Sequence, residues 1–209
     1  MVKVKICGIT NLEDAKAAVE LGADAIGFVF AKSPRQIKPE VAAEIINKLG
    51  QFKNFAGVFV NAPLETVKEI AKICKLDILQ FHGDEAPEYC KAFRKTHKVF
   101  KAFRIKDKNS LKLLRKYDVD GYLLDTFSSR LRGGTGKTFD WALAKEAGKL
   151  VSLIILSGGL NQENIKEAIK KVRPYMADVS SGVEKRPGKK DLRLMKEFIK
   201  AVKNEQATG

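Results

Sequence analysis

Residues 24–30, Asp24-Ala25-Ile26-Gly27-Phe28-Val29-Phe30, are followed by Pro39-Glu40-Val41-Ala42-Ala43-Glu44-Ile45-Ile46-Asn47-Lys48-Leu49 and then by Asn54-Phe55-Ala56-Gly57-Val58-Phe59-Val60. The outer two runs are short, apolar and rich in β-branched and aromatic residues. They lack polar alternation, as expected of strands covered on both faces. In the middle run the apolar residues return at helical spacing, and Pro39 suits a first helical turn. Strand, helix, strand in that order is the repeating unit of a parallel sheet.

The same alternation extends to both ends of the chain. Strand patterns fall at 2–6, 24–30, 54–60, 77–81, 99–103, 121–124, 153–156 and 177–180. Helical patterns fall between and after them, at 12–21, 39–49, 64–74, 87–95, 110–117, 140–149, 161–172 and 191–203. Thr10 or Asn11 can cap the first helix, Gly22 can end it in the left-handed conformation, and Pro63 suits the start of another. Strict β-α order permits an open doubly wound sheet or a closed (β/α)8 (TIM) barrel. Eight units of about 26 residues each favour closure. No linker-like stretch interrupts the alternation, so residues 1–209 are expected to form a single barrel domain.

Composition narrows the function. With 39 Lys and Arg against 25 Asp and Glu, the formal net charge is +14, which favours anionic partners: nucleic acid, a membrane surface or a phosphorylated metabolite. Twelve Phe and abundant aliphatic residues exclude a disordered chain. The three cysteines, Cys7, Cys74 and Cys90, match no zinc spacing and no disulfide framework, so a reduced, intracellular protein is expected. Lys3 and Lys5 interrupt the apolar N-terminus, which argues against a secretory leader. No apolar run approaches the roughly 18 residues of a membrane span. A soluble, cytoplasmic protein with no membrane partner follows as the expectation.

In a barrel of this kind the segments after the strand C-termini build the site. Here they carry Cys7-Gly8, then Lys32-Ser33-Pro34-Arg35, Asn61, His82-Gly83-Asp84, Arg104, Asp125-Thr126, Ser157-Gly158-Gly159 and Ser181-Gly182-Val183-Glu184. The last two segments are glycine-rich, and the first of them leads into a helix expected near Asn161. Backbone N–H groups there can face an anion, so Gly158, Gly159, Ser181 and Gly182 are read as a phosphate cradle. The run Gly133-Gly134-Thr135-Gly136-Lys137-Thr138 is neither a P-loop nor a dinucleotide fingerprint. Leu131 stands where the first needs glycine and Phe139 where the second does. It is expected to form a mobile loop that leaves Lys137 free to approach an anionic ligand.

Taken together, Lys5-Ile6-Cys7-Gly8-Ile9-Thr10, Gly27-Phe28-Val29-Phe30 with Ser33-Pro34-Arg35, and Gly57-Val58-Phe59-Val60-Asn61 resemble the phosphoribosylanthranilate isomerase family. The later segments agree in order: Gln80-Phe81-His82-Gly83, Leu124-Asp125, 133–141, 156–161, and Asp178-Val179-Ser180-Ser181-Gly182-Val183-Glu184. The resemblance implies an enzyme of tryptophan biosynthesis. It would convert N-(5-phosphoribosyl)anthranilate to 1-(2-carboxyphenylamino)-1-deoxyribulose 5-phosphate by an Amadori rearrangement, the third step from chorismate, without cofactor or metal. It places the general base on Cys7, the general acid on Asp125 and the partner of the anthranilate carboxylate on Arg35. His82 and Asp178 are further substrate-binding candidates, although a structural hydrogen bond explains either equally well.

Such a rearrangement needs one acid and one base with pKa values near working pH. Asp125 is therefore expected to be partly desolvated, because an unperturbed aspartate titrates near about 3.9. Cys7 is expected to have a cationic neighbour or substrate iminium that favours its thiolate. Cys74 and Cys90 read as inert helix residues.

Two other readings compete. Indole-glycerol-phosphate synthase would share the phosphate site, but it is expected to bring an N-terminal extension and a catalytic lysine, whereas the strand pattern here begins at Val2. Nucleic-acid binding would use the basic 185–203 segment, where eight Lys or Arg meet two acidic residues. No aromatic stacking platform or helix-turn-helix pattern accompanies it, so a solvated helix face is the better reading. The expected partner is thus a phosphosugar rather than nucleic acid, and the expected assembly a monomer or homodimer.

Overall fold

The computed structural model of the chain describes residues 1–126 and 141–205. Eight parallel strands close into a barrel in chain order. They are β1 (Lys3–Cys7), β2 (Ala25–Val29), β3 (Phe55–Phe59), β4 (Ile78–Phe81), β5 (Lys98–Ile105), β6 (Gly121–Thr126), β7 (Ile154–Leu156) and β8 (Met176–Val179). Outside them lie α1 (Leu12–Glu20), α2 (Pro39–Lys48), α3 (Leu64–Cys74), α4 (Pro87–Lys91), a 3-10 helix (Ser110–Lys116), α5 (Trp141–Ala147), α6 (Ile165–Val172) and α7 (Leu192–Glu205). This is the (β/α)8 barrel expected from the alternation. All eight strands fall where they were read, their bounds shifted by at most two residues, so that Cys7 ends β1 and Asp125 lies within β6.

The helical layer departs from the expectation in three places. The pattern at 87–95 stops being α-helical at Lys91, because the N–H groups of Phe93 and Arg94 bond three back rather than four, to the carbonyls of Cys90 and Lys91. That tightening brings Phe93 against Phe81 and Tyr89. The pattern at 110–117 is a 3-10 helix. Helix α6 begins at Ile165 rather than near Asn161, because the Asn161 carboxamide oxygen takes the N–H groups of Glu163 and Asn164 into a turn of its own.

One element was missed. A short antiparallel hairpin, β9 (Glu184–Arg186) with β10 (Lys189–Lys190), follows β8. Its turn holds Pro187-Gly188, a recognisable breaker pair, with Gly188 at φ 80°. The hairpin docks on the start of α1, where Thr10 Oγ1 donates to the Gly188 carbonyl and the Lys190 N–H to Asp14.

Two cores follow from the two-residue period of the strands. Ala25, Ala56, Ile78, Phe100, Ala102, Leu123, Ile155 and Met176 form the inner one. Their outward-facing neighbours, among them Ile26, Phe28, Leu79, Phe81, Leu124 and Val179, join the helices in the larger outer one. At the N-terminal end a carboxylate recurs. Asp24, immediately before β2, takes the N–H of Val4 in β1 at 2.8 Å, while its own N–H bonds back to the Val4 carbonyl. Asp77, before β4, does the same for Phe55 and also takes the N–H of Asn54, both at 2.9 Å. Asp120, before β6, holds Val99 in the same way. At the fourth such position Tyr175 keeps only the backbone bond, to Ile154. Each carboxylate thus ties an odd-numbered strand to the start of the next.

Asp77→Ala would strand two backbone donors. The expected cost is about 1–3 kcal/mol, seen as a lower urea midpoint at unchanged slope. A loss no larger than that of an exposed control such as Lys68→Ala would show that the clamp is not a stabilising contact.

Candidate functional site

Counting by twos toward the C-terminal ends, β4, β6 and β8 change from apolar inner-core residues to polar ones, and β1 carries polar side chains at the same level. Ile78 leads to Gln80 and His82, Leu123 to Asp125, Met176 to Asp178 and Ser180, and Lys5 to Cys7. The N-terminal half of the lumen is therefore packed and the C-terminal half is chemical.

Lys5 is fully buried and donates to Asp178 Oδ1 at 2.9 Å. The two are register partners across the β1–β8 seam. The Lys5 ammonium also acts on the Cys7 side chain, each favouring the charged form of the other. Gly27, beside them on β2, leaves the necessary space: a Cβ there would lie 2.8 Å from Cys7 Sγ and 3.1 Å from Lys5 Nζ. Burial opposes the charge on Lys5, but Asp178, and then Cys7, outweigh it and hold the ammonium above the ordinary lysine range. Burial likewise pushes the Cys7 thiol up, and the Lys5 charge only partly offsets this. The expected cationic neighbour is present, yet desolvation dominates, and Cys7 at neutral pH is a thiol in the free protein.

Across the lumen, His82 Nε2 lies 3.1 Å from Asp125 Oδ2, the side chains 25% and 30% exposed, so the acid expected from sequence is only partly withdrawn from water. Gln80 Nε2 lies 3.1 Å from His82 Nδ1. A second buried pair, Lys101 with Glu85 at 3.3 Å, fixes the turn that carries His82. Glu85 accepts the N–H groups of Asn61 and Gly83, and Lys101 donates to the Gly83 carbonyl.

Arg35 behaves differently from the expectation of a fork open to a ligand. Its Nε and Nη2 meet Glu184 at 2.9 and 2.6 Å, and its stem lies over Gly8, where a Cβ would come within 2.7 Å of Arg35 Cδ. This hydrogen bond raises the Arg35 pKa. Glu184 also receives buried Lys190, which donates to the carbonyls of Cys7 and Ser180. The hairpin therefore ties the ends of β1 and β8 together.

Gly158 and Gly159 have φ values of 80° and 67°, open only to glycine at low cost. Gly182 is pressed against the same turn, since a Cβ would stand 1.9 Å from the Leu160 carbonyl oxygen. Ser181 is exposed at the rim. Two buried side-chain atoms at the site, Gln80 Oε1 and Ser180 Oγ, are among those without a hydrogen-bond partner. Cys74 and Cys90 are buried in α3 and α4, and burial raises their thiols to about 11 and about 12. The glycine run 133–136 and Lys137 lie outside the described residues.

Sequence reasoning missed Lys5, Gln80, Glu184 and Lys190. The available signal was a polar residue in or beside a strand otherwise read as apolar. Among the described residues no cluster of three or more His, Cys, Asp or Glu could hold a metal ion, and no helix is long and apolar enough to cross a membrane.

A (β/α)8 barrel with a buried thiol ending β1 and a partly exposed carboxylate on β6 at its C-terminal mouth, and with a glycine-lined turn after β7, defines the class: an acid–base enzyme of the barrel isomerase kind. The model of the N-(5'-phosphoribosyl)anthranilate (PRA) isomerase family matches residues 4–201, and the chain belongs to that family. It is 54% identical over 204 residues, 97% of this chain and 99% of the other, to N-(5'-phosphoribosyl)anthranilate isomerase of Geotalea uraniireducens. Among solved structures, phosphoribosyl anthranilate isomerase from Thermotoga maritima superposes with a TM-score of 0.90 at 46% identity, covering 98% of this chain and 100% of that one. Another phosphoribosyl anthranilate isomerase, solved with reduced 1-(o-carboxyphenylamino)-1-deoxyribulose 5-phosphate, gives 0.87 at 43% identity, with 98% and 100% coverage.

Alkylation of Cys7, followed by mass spectrometry against pH, is expected to show a midpoint above the ordinary thiol value of 9.0. The Asp178 charge opposes the thiolate, so Asp178→Asn should lower that midpoint. A midpoint that rises in the variant would contradict this electrostatic balance.

Proposed function

We propose that the chain converts N-(5'-phosphoribosyl)anthranilate to 1-(2-carboxyphenylamino)-1-deoxyribulose 5-phosphate, with Asp125 as general acid and Cys7 as general base. The supporting observation is that Cys7 ends β1 and Asp125 stands near the end of β6 on the inward-facing track of the same barrel mouth, Cys7 beside buried Lys5 and Asp125 against His82. Asp125 gives its proton to the furanose ring oxygen. The C1–O bond breaks with its electrons remaining on that oxygen, and the anilino nitrogen lone pair forms the C=N bond of an iminium. Cys7 as thiolate then takes the C2 proton. The C–H electrons become the C1=C2 bond, and the C=N electrons return to nitrogen. Tautomerisation of the resulting enolamine places a proton on C1 and leaves the ketone at C2.

The iminium supplies the second cation that Cys7 needs. With Lys5 on one side and the iminium on the other, the thiolate becomes accessible where burial alone suppresses it. Gly158, Gly159, Ser181 and Gly182 cradle the phosphate. Arg35, oriented by Glu184, meets the anthranilate carboxylate with its remaining donors. His82 and Asp178 act at the site mainly through their partners, Asp125 and Lys5. The enzyme works without cofactor in the cytoplasm, as a single barrel domain in a monomer or homodimer, on the third step of tryptophan synthesis.

Loss of substrate fluorescence, with the labile substrate generated in situ, tests the assignment. Wild type should turn over, and Cys7→Ala and Asp125→Asn should each fall by at least about 10². Near-normal turnover by either variant would remove that residue from its role.

A further inference from the structure

Gln80 is a buried polar side chain of the lumen that the proposed reaction does not use. It is 1% exposed in β4, among residues that are otherwise apolar, with its Nε2 3.1 Å from His82 Nδ1. His82 in turn reaches Asp125 Oδ2 through Nε2 at 3.1 Å. A neutral imidazole has one donor nitrogen and one acceptor nitrogen, and its neighbours decide which is which. An amide NH2 only donates and a carboxylate only accepts. Between them a neutral ring satisfies both contacts in one tautomer alone, with hydrogen on Nε2. Turning the amide over would present Oε1 to Nδ1 and draw the hydrogen there. The Nε2 lone pair would then face the carboxylate oxygen, or the ring would have to carry a charge.

We propose that Gln80 is a positioning residue for the general acid: it fixes His82 as the Nε2–H tautomer, and so decides which oxygen of Asp125 carries the catalytic proton. This rests on the reading of Asp125 as the acid. With Oδ2 receiving the imidazole N–H, the transferable proton resides on Oδ1, the oxygen left free for substrate. When that proton passes to the ring oxygen of the sugar, the O–H electron pair stays on the carboxylate. The Nε2–H bond, already in place, then stabilises the new charge without any reorientation. His82 neither gains nor loses a proton in the step. The bond on Nδ1 does not touch substrate, so its effect belongs to turnover rather than to binding. The unpartnered Oε1 marks the cost of this arrangement, since the amide is held for its donor while its acceptor is left unused.

The chain has only two histidines, so their ring nitrogens can be resolved by long-range 1H–15N correlation on the labelled protein, with His97→Asn assigning the pair. In the wild-type protein at neutral pH, His82 is expected to show a protonated Nε2 and an unprotonated Nδ1. In Gln80→Glu, an acceptor facing Nδ1 should bring hydrogen to that nitrogen. Gln80→Leu, with no donor, should give mixed tautomers. Both variants should lose about 10-fold to 10² in kcat, with KM changed less than threefold.

Hydrogen on Nδ1 in the wild-type protein would overturn the proposal, and that spectrum depends on no variant folding. Unchanged kcat in a folded Gln80→Leu protein whose tautomer has shifted would overturn it equally. The acid assignment fails separately, through activity in Asp125→Asn, and leaves the tautomer result standing as a purely structural one.

Discussion

The buried pair of Lys5 with Asp178 joins closure to chemistry. A barrel closes only when its last strand meets its first, and these two residues are register partners on that seam. Neither charge has water to fall back on, and removing one partner of such a pair typically costs about 3–5 kcal/mol. The same ammonium reaches Cys7, so the contact that seals β8 to β1 also sets the field around the thiol. Gly27 is required by this crowding, because any side chain there would displace both the sulfur and the ammonium.

The lumen is divided along its axis. Toward the N-terminal end, alanines alternate with Ile78, Phe100, Leu123 and Met176 to fill the space between the strands. Toward the other end the packing gives way to groups that each need a partner: Lys5 with Asp178, Gln80 with His82, and Lys190 with Glu184. Because such groups are costly unless satisfied, they hold one another in fixed orientation, and a site built this way is organised before substrate arrives. The hairpin after β8 extends this principle beyond the barrel, carrying Lys190 back to the carbonyls at the ends of β1 and β8.

The fold was legible because fully covered parallel strands have a pattern that little else produces, and all eight were found. What escaped was local. Residues 92–95 were read as the end of a helix but wind through three-residue turns at Phe93 and Arg94, since periodicity records which residues face inward and not how tightly the backbone winds. The hairpin was too short to show a strand pattern, although Pro187-Gly188 marked its turn. Within the site, Cys7, Asp125, Arg35, His82 and Asp178 were visible because they stand at or near strand ends. Lys5, Gln80, Glu184 and Lys190 were less so, because a buried lysine or glutamine declares itself only through the partner that compensates it, and those partners lie between 2 and 173 residues away. The difference at Arg35 has the same origin: its claim on Glu184 spans 149 residues.

The carboxylates of Asp24, Asp77 and Asp120 each bind an odd strand to the one after it, whereas the step from β2 to β3 is spanned by a neutral amide, Asn54 Nδ2 donating to the Asp24 carbonyl. The cooperative piece of this barrel is accordingly a pair of strands with the helix between them, and amide hydrogens within a pair should share one opening event. The last pair, β7 with β8, has Tyr175 in place of the carboxylate and keeps only the backbone half of the link. It is also the pair that carries the Gly158–Gly159 turn, so the glycine turn at one end of the barrel sits above the pair with the lightest clamp at the other.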